Sequence, residues 1–374
     1  MRLLDRYLLR ELLVPLGYCL SGFLVFWIAF DLFSELGDLQ EHKMRAGDIA
    51  LYYLLKAPEL LVIIVPMALL LALLYALTNH ARYHEITAIR AAGVSVWRLA
   101  LPYFMVGLIA SLAILALNEF YVSDGIDAAD RIKKRHDARP AGSLPAHQVR
   151  DLAFVNERDG RKWKIGIYNS ETGEMTSPQV IWTLPDGSHR WLFAERAIRT
   201  NGVWTFFDKV RQYTDADTNS LLVPIPQTNV LPVPDFSETP DQIKSEIKVS
   251  NSGSLRAVKK ADLPITEILN YLRLHPKPSR AEQSRLYTKL HGRLAAPWTC
   301  LVVVLIALPF GAASGRRNVF VGVASSILIC FIYFVLQQLG LALGTGGYLP
   351  AWLAAWFPNL AFGLVGLGLT WTIR

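Results

Sequence analysis

Residues 57–77 read APELLVIIVPMALLLALLYAL, an unbroken apolar run in which Glu59 is the only charged side chain. An α-helix rises about 1.5 Å per residue, so a run of this length covers the roughly 30 Å hydrocarbon core of a bilayer. Five other stretches share its character: residues 12–33 and 99–122 on either side of it, and residues 290–313, 319–343 and 349–373 towards the C-terminus. Three spans thus precede a long polar block and three follow it. A hydrophobic content of 52 % agrees. The pattern predicts an α-helical membrane protein of six transmembrane helices, three plus three, around one inserted extramembrane domain.

Lys and Arg favour the cytoplasmic side of short loops, which sets the orientation. Arg2, Arg6 and Arg10 precede span 1, and Arg82, Arg90 and Arg98 lie between spans 2 and 3. Arg316 and Arg317 separate spans 4 and 5, and Arg374 follows span 6. On the opposite side, the loop at 34–56 carries Glu35, Asp38, Glu41 and Asp48 among its bases, and the loop at 344–348 carries no charge. Both termini are therefore expected in the cytoplasm and the inserted domain outside. The net charge of +7 then belongs to loops that meet anionic lipid. No aromatic-interleaved basic tract points to nucleic acid. Cys19, Cys300 and Cys330 all fall inside spans, where they read as small apolar packers rather than disulfide partners. Span 1 is too long for a signal-peptide core and runs into an acidic loop, so it is expected to be retained.

From about Asp151 the periodicity becomes short alternating runs broken by turn residues, the pattern of an antiparallel β domain. Residues 162–168 (KWKIGIY) alternate, and residues 169–173 supply a turn. Residues 179–184 (QVIWTL) lead into Pro185-Asp186-Gly187, a second turn signal. Residues 191–198 and 203–207 are joined by Asn201-Gly202, the dipeptide suited to a type I′ hairpin because both residues tolerate positive φ. Trp191, Phe193, Trp204 and Phe206 are expected to line one face. Residues 224–253 read as long connections, followed by a helix at 264–274 and another at 280–289 that leads into span 4. His136, His147, His189 and His275 are scattered without metal-ligand spacing, and no G-x-S-x-G elbow occurs. Nothing in the block describes a catalytic site.

Between spans 2 and 3, residues 79–98 read NHARYHEITAIRAAGVSVWR. At 100° per residue, Glu85, Ala88, Ile89, Ala92 and Val96 share one side of a helix while Arg90 points elsewhere. Gly93 suits a left-handed C-terminal cap and Ser95 an N-cap for the next helix. A short helix with small residues and one acid suits docking into a groove on a cytosolic partner. The alternative is an amphipathic connector resting on lipid, but such a connector should show a row of bases, and this stripe carries Glu85.

Residues 85–95 (EITAIRAAGVS) resemble the coupling-helix signature of the LptF/LptG (YjgP/YjgQ) permeases, the membrane subunits of the lipopolysaccharide-export ABC transporter. Residues 4–8 (LDRYL), 290–297 (LHGRLAAP), 308–311 (LPFG) and 350–359 (PAWLAAWFPN) resemble further motifs of that family, in the right order along the chain. The resemblance implies a β-jellyroll-like periplasmic domain and a multi-pass location in the inner membrane of a Gram-negative bacterium. It divides the chain into residues 1–124, holding spans 1–3 and a coupling helix at about 84–94, residues 125–285, holding the β domain, and residues 286–374, holding spans 4–6. It implies a second homologous permease (LptF or LptG), a cytosolic LptB-like ATPase dimer, and LptC-like and LptA-like periplasmic jellyroll proteins. Lipopolysaccharide would enter sideways from the periplasmic leaflet through gates at spans 1 and 5, and be passed to the periplasmic bridge. The coupling residues would be Glu85, Ile86, Ala88, Ile89, Arg90, Ala92 and Gly93. The sequence holds no G-x-x-x-x-G-K-[ST] phosphate loop, so no cofactor is expected on this chain, and ATP with Mg belongs to the partner.

Two spans carry candidate lipid-contact residues. In span 5, Gly322, Ser326, Ile329 and Tyr333 fall on one side, small and polar where neighbours are bulky. That stripe suits either a gate or static packing within the half-bundle. In span 1 the candidates are Phe26, Trp27, Phe30 and Asp31. A carboxylate there should face a cavity, a partner or water, because burial against lipid costs about 2.5–3.5 kcal/mol at mid-bilayer. The family places bases near this end of span 1; here the neighbours are acidic, with His42, Lys43 and Arg45 only later. Lys56 and Glu59 at the outer end of span 2 are further candidates, with an interfacial anchor the role expected first of each. Two other classes compete with a glycolipid permease: a mechanotransmitting ABC subunit that moves its external domain without passing lipid, and a membrane-anchored scaffold with no motor.

Overall fold

The computed structural model describes residues 3–41, 44–122, 125, 128–129, 132, 145, 147–184, 187–215, 223–251, 264–312 and 319–372. Arg2, His42, Lys43, His136, Pro185, Asp186, Arg316, Arg317 and Arg374 lie outside the described residues. The chain divides into two compact units, one of Met1–Asp137 with Arg280–Arg374, the other of Ala138–Ser279.

Among the described residues the first unit holds six helices long and apolar enough to cross a membrane. They are α1 (Leu3–Ser34), α3 (Ala46–Arg82), α5 (Val96–Leu117, extended by a π-helical turn to Val122), the compound span Arg280–Pro309, α10 (Val319–Thr345) and α11 (Ala351–Thr372). Short α2 (Leu36–Glu41) and α4 (Glu85–Ala91) lie between spans. The compound span breaks where Pro297 removes a backbone donor: α8 (Arg280–Ala295) passes through a 3₁₀ turn at Ala296–Trp298 into α9 (Thr299–Ala312). The carbonyls near the break find partners. Asn359 Nδ2 donates to Ala295 O at 2.8 Å and Ser111 Oγ to Pro297 O at 2.6 Å. Tyr333 joins this clasp, its hydroxyl donating to Asn359 Oδ1 at 2.9 Å and lying 2.6 Å from Thr299 Oγ1. Glycines set the close helix contacts. A Cβ at Gly340 would collide with the Ala354 carbonyl, and one at Gly107 would stand 2.9 Å from Val304 Cγ2.

The second unit is one all-antiparallel sheet of seven strands, in the order β1-β2-β3-β4-β6-β5, with β7 on β6 and an added β3–β5 pairing that curls it. The strands are β1 (Gln148–Asn156), β2 (Arg161–Asn169), β3 (Met175–Thr183), β4 (His189–Phe193), β5 (Arg196–Thr200), β6 (Val203–Asp215) and β7 (Val223–Val233). Asn201 and Gly202 both take positive φ, 51° and 83°, in the tight β5–β6 hairpin. Trp163, Trp204, Phe206 and Phe236 pack with Val180, Leu192 and Ile243 into the core.

Three sequence expectations are corrected. Residues 191–198 are two strands, because the chain bends at Ala194-Glu195 so that β3 can pair with both β4 and β5. Trp191 and Phe193 do not share the core face with Trp204 and Phe206: Leu192 does, opposite Val180, while Trp191 and Phe193 stack on the other face beside Tyr213. Within the stretch read as connections at 224–253, residues 224–233 belong to β7 and residues 240–251 form helix α6 (Pro240–Asn251), while 252 and 253 lie outside the described residues. The prolines of β7 are tolerated because this strand pairs only with β6, leaving its other side free of ladder bonds. Helix α6 opens with a capping box, Thr239 N–H to Gln242 Oε1 at 2.9 Å and Gln242 N–H to Thr239 Oγ1 at 3.2 Å.

Polar locks close the unit. Arg161 donates to the fully buried Glu238 at 2.8 Å and also meets Asp159. Burial by itself raises the Asp159 pKa, but the Ser237 hydroxyl, Arg161 charge and Asn156 amide together hold it below the ordinary value. Helix α7 (Ile265–Leu274) ends at His275, whose Nε2 lies 2.9 Å from Glu246 on α6 and whose Nδ1 lies 3.6 Å from Glu157 after β1.

Candidate functional site

Helix α4 is short because both ends are fixed by backbone chemistry. Residue His84 sits in the left-handed region at φ 59°, which turns the chain sharply out of α3. At the other end Gly93 takes φ 83°, its N–H bonding to Arg90 O at 2.9 Å and that of Val94 to Ile89 O at 3.3 Å. This paired arrangement is a Schellman cap, for which glycine avoids the steric cost of a Cβ. Ser95 then caps α5, its Oγ accepting from Arg98 N–H at 3.3 Å. The segment is a rigid seven-residue knob between two spans.

Its two faces differ. Ile86 is buried, and Ile89 packs against the cluster that holds Leu8, Leu12, Leu77, Leu99 and Tyr103. Thr87, Ala88, Arg90, Ala91, Ala92 and Gly93 are exposed. The predicted stripe is therefore split: Ala88 and Ala92 lie on the open face with Arg90, whereas Glu85 and Ile89 turn towards the bundle. Glu85 is engaged within the chain. Its Oε2 accepts from the Tyr7 hydroxyl at 3.0 Å and lies 2.7 Å from His80 Nδ1. A second link joins Arg98 to Asp5 at 3.0 Å. Sequence reasoning missed both contacts. His80 stood five positions before Glu85 and could have been suspected, but Tyr7 is 78 residues away and gave no signal.

The candidate lipid-contact residues separate in the same way. On α1, Phe26 and Phe30 are 64 % and 61 % exposed and stack at 6.5 Å, while Trp27 packs on α3 beside Leu60, Ile64 and Ala68. Asp31 pairs with Lys56 at 2.8 Å, and Lys56 also approaches Glu35 at 3.9 Å. Lys56 is thus matched by carboxylates. On α10, Ser326 and Tyr333 are buried inside the half-bundle, Ile329 packs on the central cluster, and Gly322 belongs to the helix by its backbone. The outward face is instead Leu328, Phe331, Val335 and Leu339. The small-and-polar stripe of span 5 packs inward, and the bulky side faces out. Among the described residues no group of His, Cys, Asp and Glu is placed to hold a metal.

Six apolar spans, three before and three after a curled β unit in the chain, with a capped knob between spans 2 and 3, define a multi-pass membrane protein. The family described as Lipopolysaccharide export system permease LptF/LptG matches residues 6–372, nearly the whole chain. The chain belongs to that family, and its role is that of a lipopolysaccharide-export permease. No curated relative matches it.

Proposed function

We propose that this chain is one of two homologous permeases that draw lipopolysaccharide from the periplasmic leaflet of the inner membrane and hand it to a periplasmic bridge. The motor is a separate LptB-like ATPase dimer, which carries ATP and Mg; LptC-like and LptA-like proteins continue the bridge. Both termini and α4 lie in the cytoplasm, and the β domain lies in the periplasm. Helix α4 docks into a groove of the ATPase through its open face, Ala88, Arg90 and Ala92, with Gly93 fixing its end. Ile86 and Ile89 anchor it to the bundle, and Glu85 keeps it oriented. The exposed apolar faces of α1, at Phe26 and Phe30, and of α10 form the lateral gates.

One observation carries this reading: a capped knob whose small residues are exposed while its large apolar ones, Ile86 and Ile89, turn into the bundle. Lipid would favour the reverse, because burying apolar side chains against protein leaves little to insert into a bilayer. The test is co-purification from mild detergent. The wild type should retain an ATPase and a second permease, whereas Ala92→Trp, which adds an indole to an open face, should lose the ATPase while folding normally. If Ala92→Trp keeps a full complement of ATPase, α4 is a connector and docking fails.

A further inference from the structure

Three elements converge on one carboxylate oxygen. Tyr7 comes from the second turn of α1, His80 from the last turn of α3 and Glu85 from the first turn of α4, and both partners meet Glu85 Oε2. The His80 side chain is only 3 % exposed, its ring packs 5.7 Å from that of Tyr7, and its Nε2 is buried without a hydrogen bond. A buried nitrogen without an acceptor is best left unprotonated, so Nδ1 carries the proton and donates to Glu85. Two side chains therefore hold one carboxylate oxygen. Two residues before Tyr7, Asp5 is clipped by Arg98 from the first turn of α5. The base of α1 is thus held on both sides of α4, by the residue that opens the knob and by one just beyond its end. Leu8 and Leu12 seat the same turns in the core that holds Ile86.

Beyond these turns α1 changes character. Tyr18, Val25, Phe26, Phe30 and Phe33 are all more than half exposed. One face of α1 is thus open while the other runs along α3, at Phe23, Trp27 and Asp31, so a push at its base can be carried along the helix.

We infer that Tyr7, Glu85 and His80 form a joint through which displacement of α4 is carried directly into span 1, making Tyr7 and His80 positioning residues for lipid extraction. The inference rests on the proposed coupling role of α4. Without the joint, motor movement would reach α1 through the Asp5–Arg98 pair from α5, the Asp31–Lys56 pair from α3 and apolar packing against α3, none of which starts on α4 itself. A staple that merely held the fold would share the geometry, so the test must read coupling rather than stability.

The complete complex of this chain, its second permease and the ATPase is reconstituted in liposomes holding lipopolysaccharide. Tyr7→Phe removes one hydroxyl and leaves the ring on His80. ATPase binding and hydrolysis should stay within about twofold of wild type, while lipopolysaccharide extracted per ATP falls about tenfold, the factor that one charge-assisted hydrogen bond carries. An unchanged ratio in a folded Tyr7→Phe complex overturns the joint. A second measurement keeps Tyr7 in place: spin labels at Thr87→Cys on α4 and Tyr18→Cys on α1 should hold a constant separation through the ATP cycle. A separation that changes with nucleotide overturns the joint whether or not Tyr7→Phe folds. Failure of the wild type to bind any ATPase would strike at the coupling role of α4 itself, a result distinct from bound ATPase with an unchanged ratio.

Discussion

Span 1 and span 4 differ in the sense opposite to their composition. Span 4, at mean hydropathy 1.7, has 61 % of its apolar window buried; span 1, at 2.0, has 6 %. Apolar character admits a helix to the membrane but does not decide what it packs against, since lipid tails are as apolar as leucine. Close backbone approach and polar clasps decide that. Span 4 has both. Asn359 and Ser111 reach its interrupted carbonyls, and Gly366 brings α11 against Leu305 at about 3 Å from an added Cβ. Span 1 has Gly17 and Gly22 with nothing within 4 Å. Among the described residues no other helix closes on these glycines, and the aromatic face of the span stays open.

The sharpest way to break this contrast is a pair of glycine variants. Gly340→Val forces a branched side chain into the Ala354 carbonyl, where backbone cannot yield. Overpacking of this kind costs about 3 kcal/mol or more, so little folded protein should accumulate in membranes. Gly22→Val should accumulate and melt in detergent like the wild type. Equal damage from both would mean that α1 is packed as tightly as the rest.

Removal of the clasp should matter less. Asn359→Ala deletes the bonds to Tyr333 and Ala295 O, and intramembrane hydrogen bonds average about 0.6 kcal/mol with a maximum near 1.7. A loss of about 1–3 kcal/mol in detergent unfolding is expected. No loss at all would remove the clasp from the account of why span 4 is held.

The smallest effect concerns His275 in the β unit. Burial on its own disfavours the imidazolium, but the hydrogen bond and charge of Glu246, with Glu157 beyond, outweigh it and raise the pKa. Lys248 on α6 pairs with Glu267 on α7 nearby, and Tyr271 stacks on the ring at 4.4 Å. A raised folded-state pKa means that the folded form binds the extra proton. Its contribution is complete below the ordinary histidine value near 6.5 and is lost as pH rises through the raised one. Melting of the β unit should therefore weaken from pH 6 to pH 8 in the wild type and show less pH dependence in His275→Gln.

Much of the architecture was legible. Length and apolarity gave all six spans, because the bilayer imposes a single requirement on each. The Asn201-Gly202 hairpin was legible because its backbone demands positive φ, and the Gly93 and Ser95 caps for the same kind of reason. Helix α6 was readable but missed: Thr239 and Gln242 are in capping-box spacing, and the prolines nearby drew the reading towards loops. The division of β4 from β5 was not readable, since Ala194 and Glu195 are not turn residues and the bend serves long-range pairing. The site was half legible. Local sequence placed the knob and its caps, but which face looks out depends on Leu8 and Leu12, contributed by the first turns of α1 and distant in sequence. The stripe on α10 shows the same limit, because small residues signal contact without naming the partner.

The claim that the exposed faces form the lipid path is tested most directly by a photo-crosslinking residue at Phe30 in the complete complex. Without nucleotide it should form an adduct with lipopolysaccharide, and ATP turnover should deplete that adduct as lipid leaves for the bridge. An ATPase that turns over normally while Phe30 never yields a lipopolysaccharide adduct would contradict the account, and would mean that the chain moves its β domain without passing lipid along span 1.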